Sequence, residues 1–217
     1  WMNFSTCSIL QILRIVYNLT KRRISAHNVN LCKQKNGRLY LRRGKMAAVF
    51  LSRRTAMSKT DHPVTPAVRF LRQHKIEFVP HLYPYEERGG TAHSAHCLNV
   101  DEHAVVKTIV LQNEAKKGLI VLMHGDKHIS TRNLARSLGM KHIEQADPKQ
   151  AAKWTGYLVG GTTPFGMKTA LPVYVESSIW ASDTIYINGG KRGFIIGVKP
   201  EALRSLNPQD VNVAVDD

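Results

Sequence analysis

The chain has 217 residues, 43% of them hydrophobic, and a formal net charge of +15. That length and apolar content suit one compact domain with some chain to spare, and are enough for a real hydrophobic core. Three cysteines, Cys7, Cys32 and Cys97, are too few and too scattered for a disulfide framework, which fits a reducing cytoplasm.

The charge is uneven along the chain. Residues 1–56 hold twelve of the 31 Lys and Arg side chains and no Asp or Glu, leaving residues 57–217 with 19 basic and 16 acidic side chains, a net of +3. The extreme charge therefore belongs to a leader, and the remainder is only mildly basic, which attracts phosphates weakly. Within the leader, the apolar stretch from Ser8 to Leu19 is broken by Gln11, Arg14 and Asn18, too short and interrupted to span a bilayer. No small-residue cleavage site follows it, so a signal peptide is a poor fit. A transit peptide or a nucleic-acid-binding arm matches the composition, but Trp1 is an unusual first residue and Met2, Met46 and Met57 are all possible starts. The expectation is a true start at Met57, with 1–56 a non-native or disordered basic extension and 57–217 the folded domain.

From Thr65 the elements follow in order. Thr65 caps a helix that opens on Pro66, with Val68, Leu71 and Ile76 at helical spacing. Glu77 to Tyr83 alternates polar and apolar as a strand does. Thr91 is placed to cap a short helix through Leu98. Val105–Leu111 and Gly118–Met123 are two β-branched apolar runs across a polar turn, a hairpin. Ser130 caps a helix containing Leu134, Ala135 and Leu138, and Gly139 stops it. Asp147-Pro148 opens another helix, through Trp154. Short strands are predicted at Tyr157–Val159, Val173–Val175, Thr184–Ile187 and Phe194–Val198, and Pro200 opens a last short helix. The sum is an α+β domain: one mixed, largely antiparallel β-sheet with flanking helices.

Several groups are candidates for chemistry. His93, His96 and Cys97 lie close together, and His124 and His128 flank Gly125-Asp126, but no ligand set with metal-binding spacing accompanies them; surface histidines are expected, and no metal. No Gly-x-Ser-x-Gly elbow is present, and Cys97 lacks a nucleophile's context. The glycines of Gly160-Gly161-Thr162-Thr163-Pro164-Phe165-Gly166 let backbone approach a ligand and turn N–H groups towards an oxyanion. Asn188-Gly189-Gly190-Lys191-Arg192-Gly193 adds two cations to flexible backbone. Taken alone, both segments read better as plain hairpin turns, and Lys107 as a strand-end lysine in solvent.

The order of the strings is more specific than any one of them. Thr65-Pro66-Ala67-Val68, His81-Leu82-Tyr83, Val105-Val106-Lys107-Thr108-Ile109-Val110, Thr155 to Gly166 and Ile185 to Gly193 follow one another as in the YbaK family of aminoacyl-tRNA deacylases. The resemblance covers about Met57 to Val215 and extends to the editing domain of bacterial prolyl-tRNA synthetase. It implies a cytoplasmic trans-editing hydrolase without metal or cofactor, acting on cysteine wrongly attached to tRNA(Pro), and on Cys-tRNA(Cys), with the substrate thiol assisting ester cleavage. It implies prolyl-tRNA synthetase as a partner and no membrane. By the same resemblance Lys107 and Gly161 are catalytic, and Tyr83, Thr108, Gly160, Thr162, Thr163, Pro164, Asn188, Gly189 and Gly190 hold the substrate. Two positions depart from the family: Asn188 stands where a small hydroxyl residue is usual, and Ile195 where the YbaK subgroup has an acid. They raise an Ala-tRNA(Pro) deacylase as the alternative, and a non-catalytic module binding tRNA or the synthetase as a third reading.

Overall fold

The computed structural model describes residues 62–216, so the readings made for residues 1–56 lie outside it. The first helix starts as its sequence dictates. Pro66 takes the first helical position of α1 (Pro66–Gln73), and the Thr65 hydroxyl accepts the Val68 N–H at 3.2 Å. Ala67, Val68 and Leu71 lie on its buried side, and fully burying side chains like Val68 and Leu71 contributes about 1.5–3 kcal/mol each.

Next come β1 (Val79–Leu82), α2 (Gly90–Leu98) and the hairpin of β2 (Val105–Asn113) and β3 (Gly118–His124). The two-residue strand β4 (His128–Ile129) leads to α3 (Thr131–Ser137), which Ser130 caps by accepting the Asn133 N–H. Then follow β5 (Ile143–Gln145), α4 (Pro148–Thr155), β6 (Val173–Glu176), β7 (Ile185–Lys191), β8 (Phe194–Val198), a 3-10 turn at Pro200–Leu206, β9 (Gln209–Val211) and β10 (Ala214–Val215).

Among the described residues, eight strands form one sheet in the order β1-β8-β7-β2-β3-β6-β9, with β5 paired to the far end of β2. The β2–β3, β2–β5, β7–β8 and β1–β8 pairs are antiparallel; β2–β7, β3–β6 and β6–β9 are parallel. Strand β3 explains its continuous apolar run. Ile120 and Leu122 point to a core shared with α1 and α4, while Leu119, Val121 and Met123 point to a second core shared with α3.

Three local expectations are corrected. Tyr157–Val159 is a turn, not a strand. Gly156 and Gly160 flank it at φ of 79° and 86°, the Tyr157 ring turns inward to donate to the Phe165 carbonyl at 2.7 Å, and the Leu158 carbonyl takes the Gly161 N–H. Thr91 does not cap α2; that place is Gly89's, and the Thr91 hydroxyl instead donates to Glu102 at 2.7 Å. Gly189 and Gly190 are not a turn either. They continue β7 through a register shift between Asn188 and Lys191, and the reversal falls at Arg192-Gly193.

Candidate active site

Strand β2 carries Lys107 into a cavity of about 530 Å³. Its walls come from four places: the Tyr83–Arg88 connection, the first turns of α2, the turn at Val159-Gly160, and the β7–β8 pair with its Arg192 reversal. That volume lies within the roughly 300–1,000 Å³ range of small-ligand sites.

Of the residues singled out from sequence, Tyr83, Lys107, Thr108, Gly160 and Asn188 line this cavity. Lys107 is half-buried, and its ammonium donates to the Lys127 carbonyl at 2.6 Å, which fixes the head of the side chain. It also borders a smaller recess with Glu102, Asp126 and His128. Burial, then the neighbouring Tyr85 and Cys97, hold the Tyr83 phenol above its ordinary value, so it stays protonated and is available as a donor at neutral pH. Asn188 and Ile195 are cross-strand partners and both face the cavity, so the two departures from the family pattern fall on its lining.

Gly161, Thr162, Thr163, Pro164, Gly189 and Gly190 are not among the lining residues; they brace the wall from behind. The Gly161 N–H is engaged with the Leu158 carbonyl at 2.9 Å, and a Cβ there would meet the Arg192 nitrogen at 2.9 Å. The Thr162 hydroxyl reaches the Leu158 carbonyl at 3.3 Å, and Thr163 is fully buried with its hydroxyl unpartnered. Pro164 is buried as well. The Gly189 carbonyl accepts from the Thr65 hydroxyl at 2.5 Å, and a Cβ on Gly190 would meet the Tyr157 ring at 2.8 Å.

Tyr85, His93 and Arg192 were not foreseen as lining residues. Tyr85 follows Tyr83 by the two-residue period of extended chain, a signal that could have found it. His93 Nε2 donates to the Pro84 carbonyl at 2.9 Å and its Nδ1 meets Glu86 at 3.1 Å, tying α2 to the cavity's outer wall. The Cys97 thiol lies 3.5 Å from the same Nε2, from a position that does not line the cavity.

His124 is not a surface histidine: it is 1% exposed at the end of β3, paired with Val106. Its Nδ1 donates to the His103 carbonyl at 2.6 Å, so its Nε2 accepts from the Ser178 hydroxyl at 2.9 Å when the ring is neutral. Burial lowers its pKa from the ordinary 6.5, and the stacked His103 ring, 3.7 Å away, adds to that. Below pH 6.5 the unfolded chain binds a proton that the folded chain resists, so stability present above that pH is lost as the pH falls through it. Urea unfolding from pH 7.5 to 5 should show this acid loss shrinking in His124→Gln; an identical pH profile in the variant would remove His124 as its source. Among the described residues no three His, Cys, Asp or Glu side chains are grouped to hold a metal ion, and no helix is long and apolar enough to cross a membrane.

Residues 87–206 match the family model described as the aminoacyl-tRNA editing domain. A protein of Enterococcus faecalis, provisionally named the Cys-tRNA(Pro)/Cys-tRNA(Cys) deacylase EbsC, is 30% identical over 152 residues, which is 70% of this chain and 92% of that one. The proline–tRNA ligase of Brachyspira hyodysenteriae is 28% identical over 93 residues, 43% of this chain but 16% of the ligase. A solved structure, provisionally described as a trans-editing enzyme for prolyl tRNA synthetase, has the same fold, with a TM-score of 0.61 at 21% identity over 70% of this chain and 99% of that one. The chain belongs to the aminoacyl-tRNA editing domain family, hydrolases that act on mischarged aminoacyl-tRNA.

Proposed function

We propose that the chain is a free-standing, cytoplasmic trans-editing deacylase that removes cysteine from Cys-tRNA(Pro), with Cys-tRNA(Cys) as a second substrate. The observation that carries this reading is the convergence of Lys107, Tyr83, Thr108, Gly160 and Asn188 on one cavity in a chain of this family. The Lys107 ammonium supplies a fixed positive charge for the oxyanion that develops at the ester carbonyl. The Tyr83 phenol donates, Asn188 offers a polar contact, the Thr108 hydroxyl is buried and unpartnered in the wall, and Gly160 lets the terminal ribose come close to the backbone.

In this reading the nucleophile that attacks the ester is the substrate's own. The Ser94 hydroxyl donates to the Thr91 carbonyl at 2.9 Å, Thr91 donates to Glu102, and His93 faces a carbonyl and a carboxylate. Thr91 is the cavity-lining hydroxyl that meets a carboxylate, Glu102, and it is shared with the Gly125 carbonyl at 3.1 Å. A cysteinyl substrate brings its own thiol. Its sulfur attacks the ester carbonyl, the bond to the ribose oxygen breaks, that oxygen takes the thiol proton, and water then opens the thiolactone to free cysteine. Gly161 and the 162–164 segment act in this reading by holding the Gly160 turn.

Ile195 and Asn188 favour a second reading, since an apolar wall beside a carboxamide also suits alanine. A single-turnover panel of Cys-tRNA(Pro), Ala-tRNA(Pro), Cys-tRNA(Cys) and Pro-tRNA(Pro) separates the two. The expected result is cysteine removed about tenfold or more faster than alanine, within the roughly 10–200-fold that one small group is worth, and Pro-tRNA(Pro) left intact. Faster release of alanine would replace the cysteine reading, and no turnover of any ester would leave a binding module. The net +3 of residues 57–217 offers few phosphate contacts, so selection of tRNA(Pro) is assigned to prolyl-tRNA synthetase. Adding the synthetase should raise the rate on tRNA(Pro) alone.

A further inference from the structure

The cavity opens beside a ledge that the ester chemistry does not use. Leu158 and Val159 are 65% and 54% exposed, and Tyr85 is 38% exposed. Four contacts join them into one surface. The Tyr85 hydroxyl end lies against Gly160, where a Cβ would meet it at 2.8 Å. The Arg192 guanidinium sits over the Tyr85 ring at 5.3 Å, and its Nε donates to the Val159 carbonyl at 2.9 Å. The Lys191–Arg192 backbone packs on Gly161, so both cations leave the same reversal next to the exposed turn. Gly160 has to be glycine here, both for its φ of 86° and for the ring against it.

We propose that this ledge receives the unpaired nucleotides that precede the terminal adenosine of the tRNA substrate. One base stacks on the exposed side of the Tyr85–Arg192 pair and over Leu158-Val159, and the phosphate next to it faces Arg192 and Lys191. The inference rests on the deacylase reading. Its own support is chemical: aromatic and guanidinium planes with apolar neighbours and adjacent cations are the parts from which single-stranded nucleic acid sites are built. The surface is also continuous with the cavity through Gly160, Val159, Tyr85 and Arg192. With residues 57–217 at a net charge of only +3, cations placed beside the 3′ end contribute where the ester is held.

The test compares two esters in the full-length chain, cysteinyl-tRNA(Pro) and cysteinyl-adenosine, which carries the terminal nucleoside and nothing before it. Tyr85→Ala should lower kcat/KM on the tRNA ester about tenfold more than on cysteinyl-adenosine, the loss of one stacked base beyond whatever the cavity wall loses. Tyr85→Trp should restore the tRNA rate. Leu158→Glu, on an exposed side chain, should weaken the tRNA ester several-fold by repelling phosphate and spare cysteinyl-adenosine. An equal fall on both esters would make Tyr85 a brace of the cavity wall and overturn the proposal. So would unchanged tRNA kinetics in both variants, or a Leu158→Glu defect seen only when synthetase is present, which would mark a protein-docking surface. A wild-type chain that cleaves neither ester overturns the deacylase reading and this ledge with it.

Discussion

Replacing Lys107 by alanine should lower kcat/KM for the mischarged tRNA by about 10²–10³-fold, the scale on which loss of one oxyanion-stabilising donor acts. The fold should survive. Lys107 is half-buried near one end of β2, its ammonium holds the Lys127 carbonyl, and the strand's own ladder to β3 and β7 does not depend on the side chain. The expected pattern is therefore a large fall in single-turnover rate with a thermal midpoint within a few degrees of wild type. Lys107→Arg is the informative companion. It keeps the charge but spreads it over a planar fork that does not fit a site built for a point charge, so partial recovery is expected at best. Unimpaired hydrolysis by Lys107→Ala would remove the cation from the mechanism and shift the burden to Tyr83 and Asn188.

The largest expected loss of stability falls on Phe194. Its ring is fully buried in the core that contains α1, and it fits against Gly189 so closely that a Cβ on that glycine would lie 2.4 Å from it. Phe194→Ala should cost about 3–5 kcal/mol, transfer and cavity terms together, a large part of the roughly 5–15 kcal/mol that a domain has. Equilibrium urea unfolding followed by tryptophan fluorescence reads this directly. A loss under about 1 kcal/mol would mean that the site collapses around the missing ring. Because Phe194 sits between Gly189 and Ile195, partial collapse should also displace Asn188 and blunt activity below the unfolding transition.

Which parts of this molecule a sequence reveals follows from how far apart their causes lie. Thr65-Pro66, Ser130, Asp147-Pro148 and Gly139 bound helices because the cap, the first-turn proline and the left-handed stop act within four residues. The β2–β3 hairpin was legible for the same reason. The Tyr157–Val159 segment misled because its apolar residues fit a strand, while two positive-φ glycines and one inward tyrosine hydroxyl fold it into a turn. Strands β4, β5, β9 and β10, two or three residues each, are too short to show a period. His124 continues the apolar run of β3, and that continuity, more than its residue type, marks it as buried.

At the site, Lys107 could be picked out but not placed. The parallel pairs that build its surroundings, Val106 with Ile187 and Leu122 with Val175, join residues more than fifty positions apart with no local signature. The glycine segments were noticed for their residue type, while what packs on each glycine has no local signature. Gly161 and Gly190 permit close packing behind the wall, and Gly160 meets the cavity.

Strand β2 is flanked by β3 and β7 and touched by β5 at its far end. A strand held on both edges separates only when the sheet itself comes apart, whereas an exposed connection such as 84–88 opens at smaller free-energy cost. The floor of the site and its rim are thus governed by different energies. Exposed rim residues such as Glu86 and Glu87 can be exchanged with little penalty to folding, while the position of the cation is tied to the survival of the domain. An architecture divided in this way can change which aminoacyl end it admits without having to reinvent how the ester is broken.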